Sequence, residues 1–318
     1  MINYFSESFE NFNNSLITET IKKDSFFALE NAVNKDTIEK ILSEADLFNI
    51  KINSIDVSSV HADDGYYLSN GLAKSETLYN FLTSEKIMKI AKSYLGEKFR
   101  LKCHRIYSVS PGARNPWHTD DKKYGTKIIN GKGLVFMIYL NDVYDGEFQA
   151  IKGSHLYSSK FKHSNFDEDV IKDFTHDITS FKHPMGSIII FDNKTIHRAK
   201  PYYKYLWKRK SLFFQIDNEI DDGEKIIINS RFIKKIDENI INYLGIGKPA
   251  NMPHEPANTS INSLNYSNIF NIQKKIFIKI IYRTVFLLKS FLRGTFKRKI
   301  QKILGKKNTV NSKINIED

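Results

Sequence analysis

Between Arg100 and Asp217 the apolar positions fall in short runs: Leu101 to Val109, Leu134 to Leu140, Phe148 to Ile151, Ser187 to Phe191 and Ser211 to Ile216. Turn-forming residues separate them at Pro111-Gly112, Asn141-Asp142, Asp145-Gly146, Gly153 and Pro184 to Gly186. Short runs rich in branched and aromatic side chains, bounded by Gly, Pro, Asn and Asp, predict strands. So many short strands close most economically into an antiparallel sandwich or barrel. Upstream the spacing changes. Phe26 to Glu30 predicts a strand leading into a helix capped at Asn34, with Ile38, Ile41 and Leu42 at helical intervals. Leu78, Phe81, Leu82, Ile87, Ile90, Ala91 and Tyr94 share one broad face, which predicts a single helix from Glu76 to Leu95 stopped by Gly96.

Downstream, a helix is predicted from Arg231 to Leu244, closed by Gly245. Three of the seven prolines then lie between Pro249 and Pro256, so residues 246–268 read as a connector. The expected organisation is a mainly β body with flanking helices over residues 1–245, the connector, and a basic helical tail over 269–307. No internal repeat is visible.

Composition narrows the chemistry. With 318 residues, 41% of them hydrophobic, the chain can bury a sizeable core. The single cysteine, Cys103, excludes an internal disulfide framework and multi-thiolate zinc sites, so any metal must be held by His, Asp or Glu. No stretch approaches the roughly 18 uninterrupted apolar residues of a membrane span, and Met1 to Asp24 is polar and acidic, unlike a signal peptide. A cytoplasmic protein is expected. The net charge of +12 is uneven: residues 256–318 hold 13 of the 48 basic and 2 of the 36 acidic residues, leaving the body at 35 against 34. The excess therefore resides in the tail.

A His-x-Asp pair on a strand places both side chains on one face and offers one nitrogen and one oxygen ligand. Two such pairs occur, His61-Ala62-Asp63 and His118-Thr119-Asp120. The first reads as preceding a helix, without a strand cradle. The second follows a strand and a turn, and the run Ser187 to Phe191 brings His197 behind it. Two imidazoles and one carboxylate on one face of an octahedron leave the other face open, as in non-haem Fe(II) oxygenases. If Tyr202 to Lys204 turn a hairpin, His197 lies opposite Arg209; Arg209 and Ser211 then face the metal while Lys208 and Lys210 face away. A guanidinium beside a hydroxyl suits the far carboxylate of a short dicarboxylate such as 2-oxoglutarate.

These segments, in order and spacing, resemble a known family. Trp117-His118-Thr119-Asp120-Asp121, Gly146 to His155, Met185 to Asp192, His197 and Arg209 are similar to the phytanoyl-CoA dioxygenase-like branch of the Fe(II)/2-oxoglutarate oxygenases, over roughly Phe26 to Ile216. The resemblance implies a double-stranded β-helix, or jelly roll, with Fe(II) held by His118, Asp120 and His197 as the catalytic centre. It also implies 2-oxoglutarate clamped by Arg209, O2 as second co-substrate, and hydroxylation of a C–H bond. Asp120 occupies the position a halide would need, which favours hydroxylation over halogenation. Two departures stand out. Ala199 replaces the small hydroxyl residue common two positions after the distal histidine, so that contact to the co-substrate is either missing or supplied by Ser211, and Lys152 replaces a proline before Gly153-Ser154-His155. Tyr107 either reaches the co-substrate or serves as an aromatic core residue. Plain alternatives exist for each: a surface turn for His118 and Asp120, a hydrogen-bonded core histidine for His197, and a solvated basic run, Lys204 to Lys210, for Arg209. Gly153 to His155 reads as a structural turn. His104, His163, His176 and His183 read as ordinary polar residues, and His61 to Leu72 as part of a lid.

On a wheel of about 100° per residue, Lys275, Lys279, Arg283, Lys289, Arg293 and Lys297 fall within one third of the circle. Phe277, Ile281, Val285, Leu288 and Leu292 lie opposite, and Phe286 breaks the division. A basic amphipathic helix over residues 274–307 points to an interfacial position on a membrane, at the inner face for a cytoplasmic protein, where anionic lipid attracts each nearby cation by about 1 kcal/mol. The expected substrate is a small molecule or a lipid-linked or glycan-related compound. A nucleic-acid hydroxylase is disfavoured, since the aliphatic face would lack a burial partner; a catalytically silent jelly-roll scaffold is the alternative from another class. A helix packed on the body or in a dimer is the plain reading of the tail.

Overall fold

The computed structural model describes residues 3–45, 59–62, 65–68, 71–109, 116–123, 127–128, 131–158, 165–166, 171–172, 177–203, 208–218, 220–221, 223–224, 226–234 and 237–250, and in the tail 277–278, 280–281 and 284–285. The predicted Pro111-Gly112 turn, His163, His176, most of the connector and most of the tail lie outside these residues.

Along the chain the strands are β1 (Phe26–Leu29), β2 (Ser59–Ala62), β3 (Gly65–Leu68), β4 (Arg100–Val109), β5 (Trp117–His118), β6 (Lys122–Lys123), β7 (Lys127–Ile128), β8 (Gly133–Tyr139), β9 (Phe148–Ile151), β10 (Asn165–Phe166), β11 (Ile178–Phe181), β12 (Ile188–Asp192), β13 (His197–Ala199) and β14 (Arg209–Asp217). They form an antiparallel seven-stranded sheet in the order β1-β12-β8-β14-β4-β3-β2 and a five-stranded sheet in the order β10-β5-β13-β9-β11. Val135, Met137 and Tyr139 of β8 join Phe148, Ala150 and Phe181 of the smaller sheet in one buried cluster between the sheets. Leu134, Phe136 and Ile138 of the same strand face the other way, into a second core beneath the helices. Both faces of β8 are covered, which is why its sequence is an unbroken apolar run with no alternation.

The helices are α1 (Glu7–Glu10), α2 (Asn14–Asp24), α3 (Lys35–Glu44), α4 (Gly71–Lys74), α5 (Glu76–Leu82), α6 (Glu85–Leu95) and α7 (Glu238–Leu244). The continuous helix expected from Glu76 to Leu95 is two helices. Thr83 ends the first and turns its hydroxyl back onto the Tyr79 carbonyl at 2.8 Å, and Ser84 is the N-cap of the second. The Glu44 carboxylate accepts from Ser75 Oγ at 2.7 Å and from the Thr77 amide at 3.0 Å, tying α3 to the start of α5. Asn34 stands at the N-cap of α3 as expected, but its side chain donates to the carbonyls of Asn3 and Phe5, both at 2.8 Å, and so anchors the N-terminal segment instead. The helix expected from Arg231 is shorter, preceded by a 3-10 turn at Ser230–Phe232, and ends at Gly245 in the left-handed conformation (φ 67°).

The predicted hairpin joining His197 to Arg209 does not form. β13 pairs with β5 and β9, whereas β14 pairs with β4 and β8, so the two residues lie on different sheets and Arg209 stands opposite Val109. The orientation on β14 survives: Arg209, Ser211 and Phe213 point into the space between the sheets and Lys210 points out. His61 also differs from expectation, because it lies on β2, paired with Tyr66 on β3. At the opposite end of β4, Arg100 donates to the carbonyls of Ile220 at 3.2 Å and Pro249 at 3.0 Å, so the first residues of the supposed connector are fastened to the body.

Candidate metal centre

β5 and β13 are adjacent and antiparallel, with His118 directly opposite His197. Their rings approach to 4.2 Å between centroids. In each ring Nδ1 lies beside a backbone carbonyl two residues upstream, Pro116 at 2.8 Å for His118 and Thr195 at 2.9 Å for His197. A carbonyl can only accept, so Nδ1 carries the proton and the lone pair sits on Nε2. Asp120 completes the group. Its amide donates to the Asn193 carbonyl at 2.8 Å, and its carboxylate lies 4.0 Å from Nε2 of His118 and 3.5 Å from Nε2 of His197.

The three ligand atoms lie within 4.8 Å of one another. Ligand bonds of about 2.0–2.2 Å would draw neighbouring donors to roughly 3 Å apart, so a slight contraction accommodates one divalent ion. The donor set fits: two neutral nitrogens and one anionic oxygen, all on one side, with Asp120 and His197 buried and His118 exposed by 19%. Phe148 and Phe191 pack against the His197 ring at 5.2 and 4.8 Å, fixing its plane. Ser154 accepts the Ile196 amide at 2.8 Å, so the Gly153-Ser154-His155 turn is structural, as expected, and braces the residue before His197.

Arg209 is buried, which overturns the reading of a solvated basic run. Its guanidinium donates to the Gly146 carbonyl, and its amide donates to the Tyr202 hydroxyl at 3.4 Å. The Tyr202 hydroxyl in turn donates to the Val109 carbonyl. Sequence reasoning placed Tyr202 in a turn and missed this bracing role; its position seven residues before Arg209 carried no periodic signal. Tyr139 accepts the Phe148 amide at 3.0 Å and donates to the Phe181 carbonyl at 2.9 Å, joining the two sheets beside the site. Burial pushes the phenols of Tyr139 and Tyr202 up to about 12, against the opposing influence of Arg209. Ser211 is buried on the same face as Arg209, in register with Tyr139 and Tyr107. The Tyr107 ring contacts Phe213 edge-on at 5.7 Å, in keeping with an aromatic lining residue. Two of the histidines set aside have partners: His104 accepts the Leu72 amide at 3.3 Å, and His183 contacts the Glu30 carboxylate at 2.7 Å.

A family model described as phytanoyl-CoA dioxygenase matches residues 22–202, more than half of the chain. The chain belongs to the phytanoyl-CoA dioxygenase family. As a member it is by class an Fe(II)- and 2-oxoglutarate-dependent dioxygenase, and the family match ends just short of Arg209. Among solved structures, HygX from Streptomyces hygroscopicus with nickel and 2-oxoglutarate bound aligns with a TM-score of 0.51 and 10% identity, over 66% of this chain and 89% of HygX. EctD from S. alaskensis in its apoform aligns with a TM-score of 0.50 and 16% identity, over 63% of this chain and 75% of EctD. At these identities the likeness is one of fold alone, in keeping with the jelly roll expected of a phytanoyl-CoA dioxygenase family member. Comparison with curated proteins by sequence gave no match.

Proposed function

We propose that the protein hydroxylates a C–H bond of a small-molecule or lipid-linked substrate, with Fe(II) held by His118, Asp120 and His197 and 2-oxoglutarate held by Arg209, Ser211 and Tyr107. The observation that carries the reading is the convergence of two Nε2 atoms and one carboxylate within 4.8 Å, each imidazole being locked by a carbonyl behind it. When bound, the metal supplies the oxidising chemistry that couples 2-oxoglutarate decarboxylation to oxygen insertion.

The chain's own residues have narrower tasks. Carbonyls of Pro116 and Thr195 hold the imidazoles in the tautomer that presents Nε2. Asp120 contributes the single negative charge, and three donors on one side leave the remaining positions to co-substrates. Arg209, in a site of low dielectric, offers a strong charge-assisted pair to the far carboxylate. Because Tyr139 and Tyr202 keep their protons well above neutrality, no phenolate competes for that guanidinium. Ser211 projects from the same face as Arg209 and stands in for the hydroxyl absent at Ala199.

Succinate formation tests the proposal. Purified protein supplied with Fe(II), 2-oxoglutarate, a reductant and air should form succinate, and His118→Ala should fall to background. Equal turnover by His118→Ala would reject the assigned centre; metal binding without any turnover would favour a silent scaffold.

A further inference from the structure

The tail residues that the structure describes are helical, and their large apolar side chains are uncovered: Phe277 is 63% exposed, Ile280 54%, Ile281 45% and Val285 43%. None of them belongs to a buried core cluster of the described residues. Isolated exposed apolar residues are ordinary; several within nine residues of chain are not. In the sequence Lys275, Lys279 and Arg283 alternate with these apolar residues at the four-residue interval of a helix, within a segment holding 13 basic and 2 acidic residues from Pro256 onward. No helix among the described residues is long and apolar enough to cross a membrane. From the exposed apolar side chains together with the one-signed charge, we infer that this segment docks the enzyme on an anionic lipid bilayer surface, apolar face down, with the basic side chains among the headgroups.

A second copy of this chain fits less well, because pairing two such faces would bring two strongly cationic segments together. A nucleic acid would neutralise the charge and leave the aliphatic side chains in water. The inference is independent of the metal centre, and the site's chemistry could fail while the docking stands. The fastening of Pro249 by Arg100 holds the start of the connector at the end of β4 opposite Val109 and Arg209.

Co-sedimentation of the full chain with vesicles of phosphatidylcholine alone, and of phosphatidylcholine with about one third phosphatidylserine, tests the inference. Binding is expected only to the anionic vesicles and should weaken by more than about tenfold between low and high salt. Phe277→Ser with Ile281→Ser, and separately Lys275→Gln with Lys279→Gln and Arg283→Gln, should each abolish most of it. Thermal melting and succinate formation should be unchanged in both. Failure to bind anionic vesicles, equal binding by the variants, or a Phe277-dependent dimer that ignores vesicles would overturn it.

Discussion

Arg209 owes its position to three neighbours: the Gly146 carbonyl, the Tyr202 hydroxyl and the strand pairing with Val109. A lysine keeps the charge but not the planar fork, so Arg209→Lys should weaken 2-oxoglutarate binding by about tenfold to a hundredfold in calorimetry, with circular dichroism unchanged. Tyr139→Phe acts on stability instead. It leaves the Phe148 amide and the Phe181 carbonyl buried without their partner, at about 1–3 kcal/mol in denaturant unfolding. The same hydroxyl sets an alkaline limit. Its folded pKa of about 12 lies above the unfolded value of 10.0, so the folded state holds the proton more tightly; that stability is complete below pH 10 and is lost as pH rises towards 12. Urea midpoints measured from pH 9 to 12 should decline more steeply in the wild type than in Tyr139→Phe. The metal-ligand candidates were legible from residue type and spacing. The carbonyls of Pro116, Thr195 and Asn193 that orient them were not, because any residue can supply a backbone carbonyl.

At the level of elements, β8 and β12 were readable because burial on both faces leaves nearly unbroken hydrophobic runs in them. β5 and β13, which carry the two imidazoles, have two and three residues, too few for any periodicity to show. The supposed His197–Arg209 hairpin failed for a related reason. A chain that crosses from one sheet to the other can have the same sequence interval as one that turns back on itself, and only the inward orientation of both residues survived. The break at Thr83-Ser84 was masked by apolar spacing that continues in phase, although Ser84-Glu85 is itself a helix-start signal. One turn position governs the site directly. Gly146 has φ 68°, and a methyl there would overlap the Tyr202 ring. Gly146→Ala should therefore raise the KM for 2-oxoglutarate severalfold, by shifting Tyr202 and Arg209, while costing about 1–2 kcal/mol in stability.

For the whole molecule, two sheets facing each other bring residues from β5, β13 and β14 around one space, and the helices seal the outer face of the larger sheet. Cofactor binding and folding are consequently linked. An ion that binds only the folded state at one hundred times its Kd adds about 2.7 kcal/mol. For a body of this size that raises the melting temperature by about 5–10 °C over chelator-treated protein, a rise that Asp120→Asn should remove. The tail, carrying nearly all the net charge, should leave this shift untouched, because the proposed ligands His118, Asp120 and His197 all belong to the body. The most direct measurement is anaerobic. Fe(II) and 2-oxoglutarate added together to the full chain should produce a visible charge-transfer band, absent in His118→Ala and requiring much higher 2-oxoglutarate in Arg209→Ala. A band of equal strength and affinity in all three proteins would contradict the account.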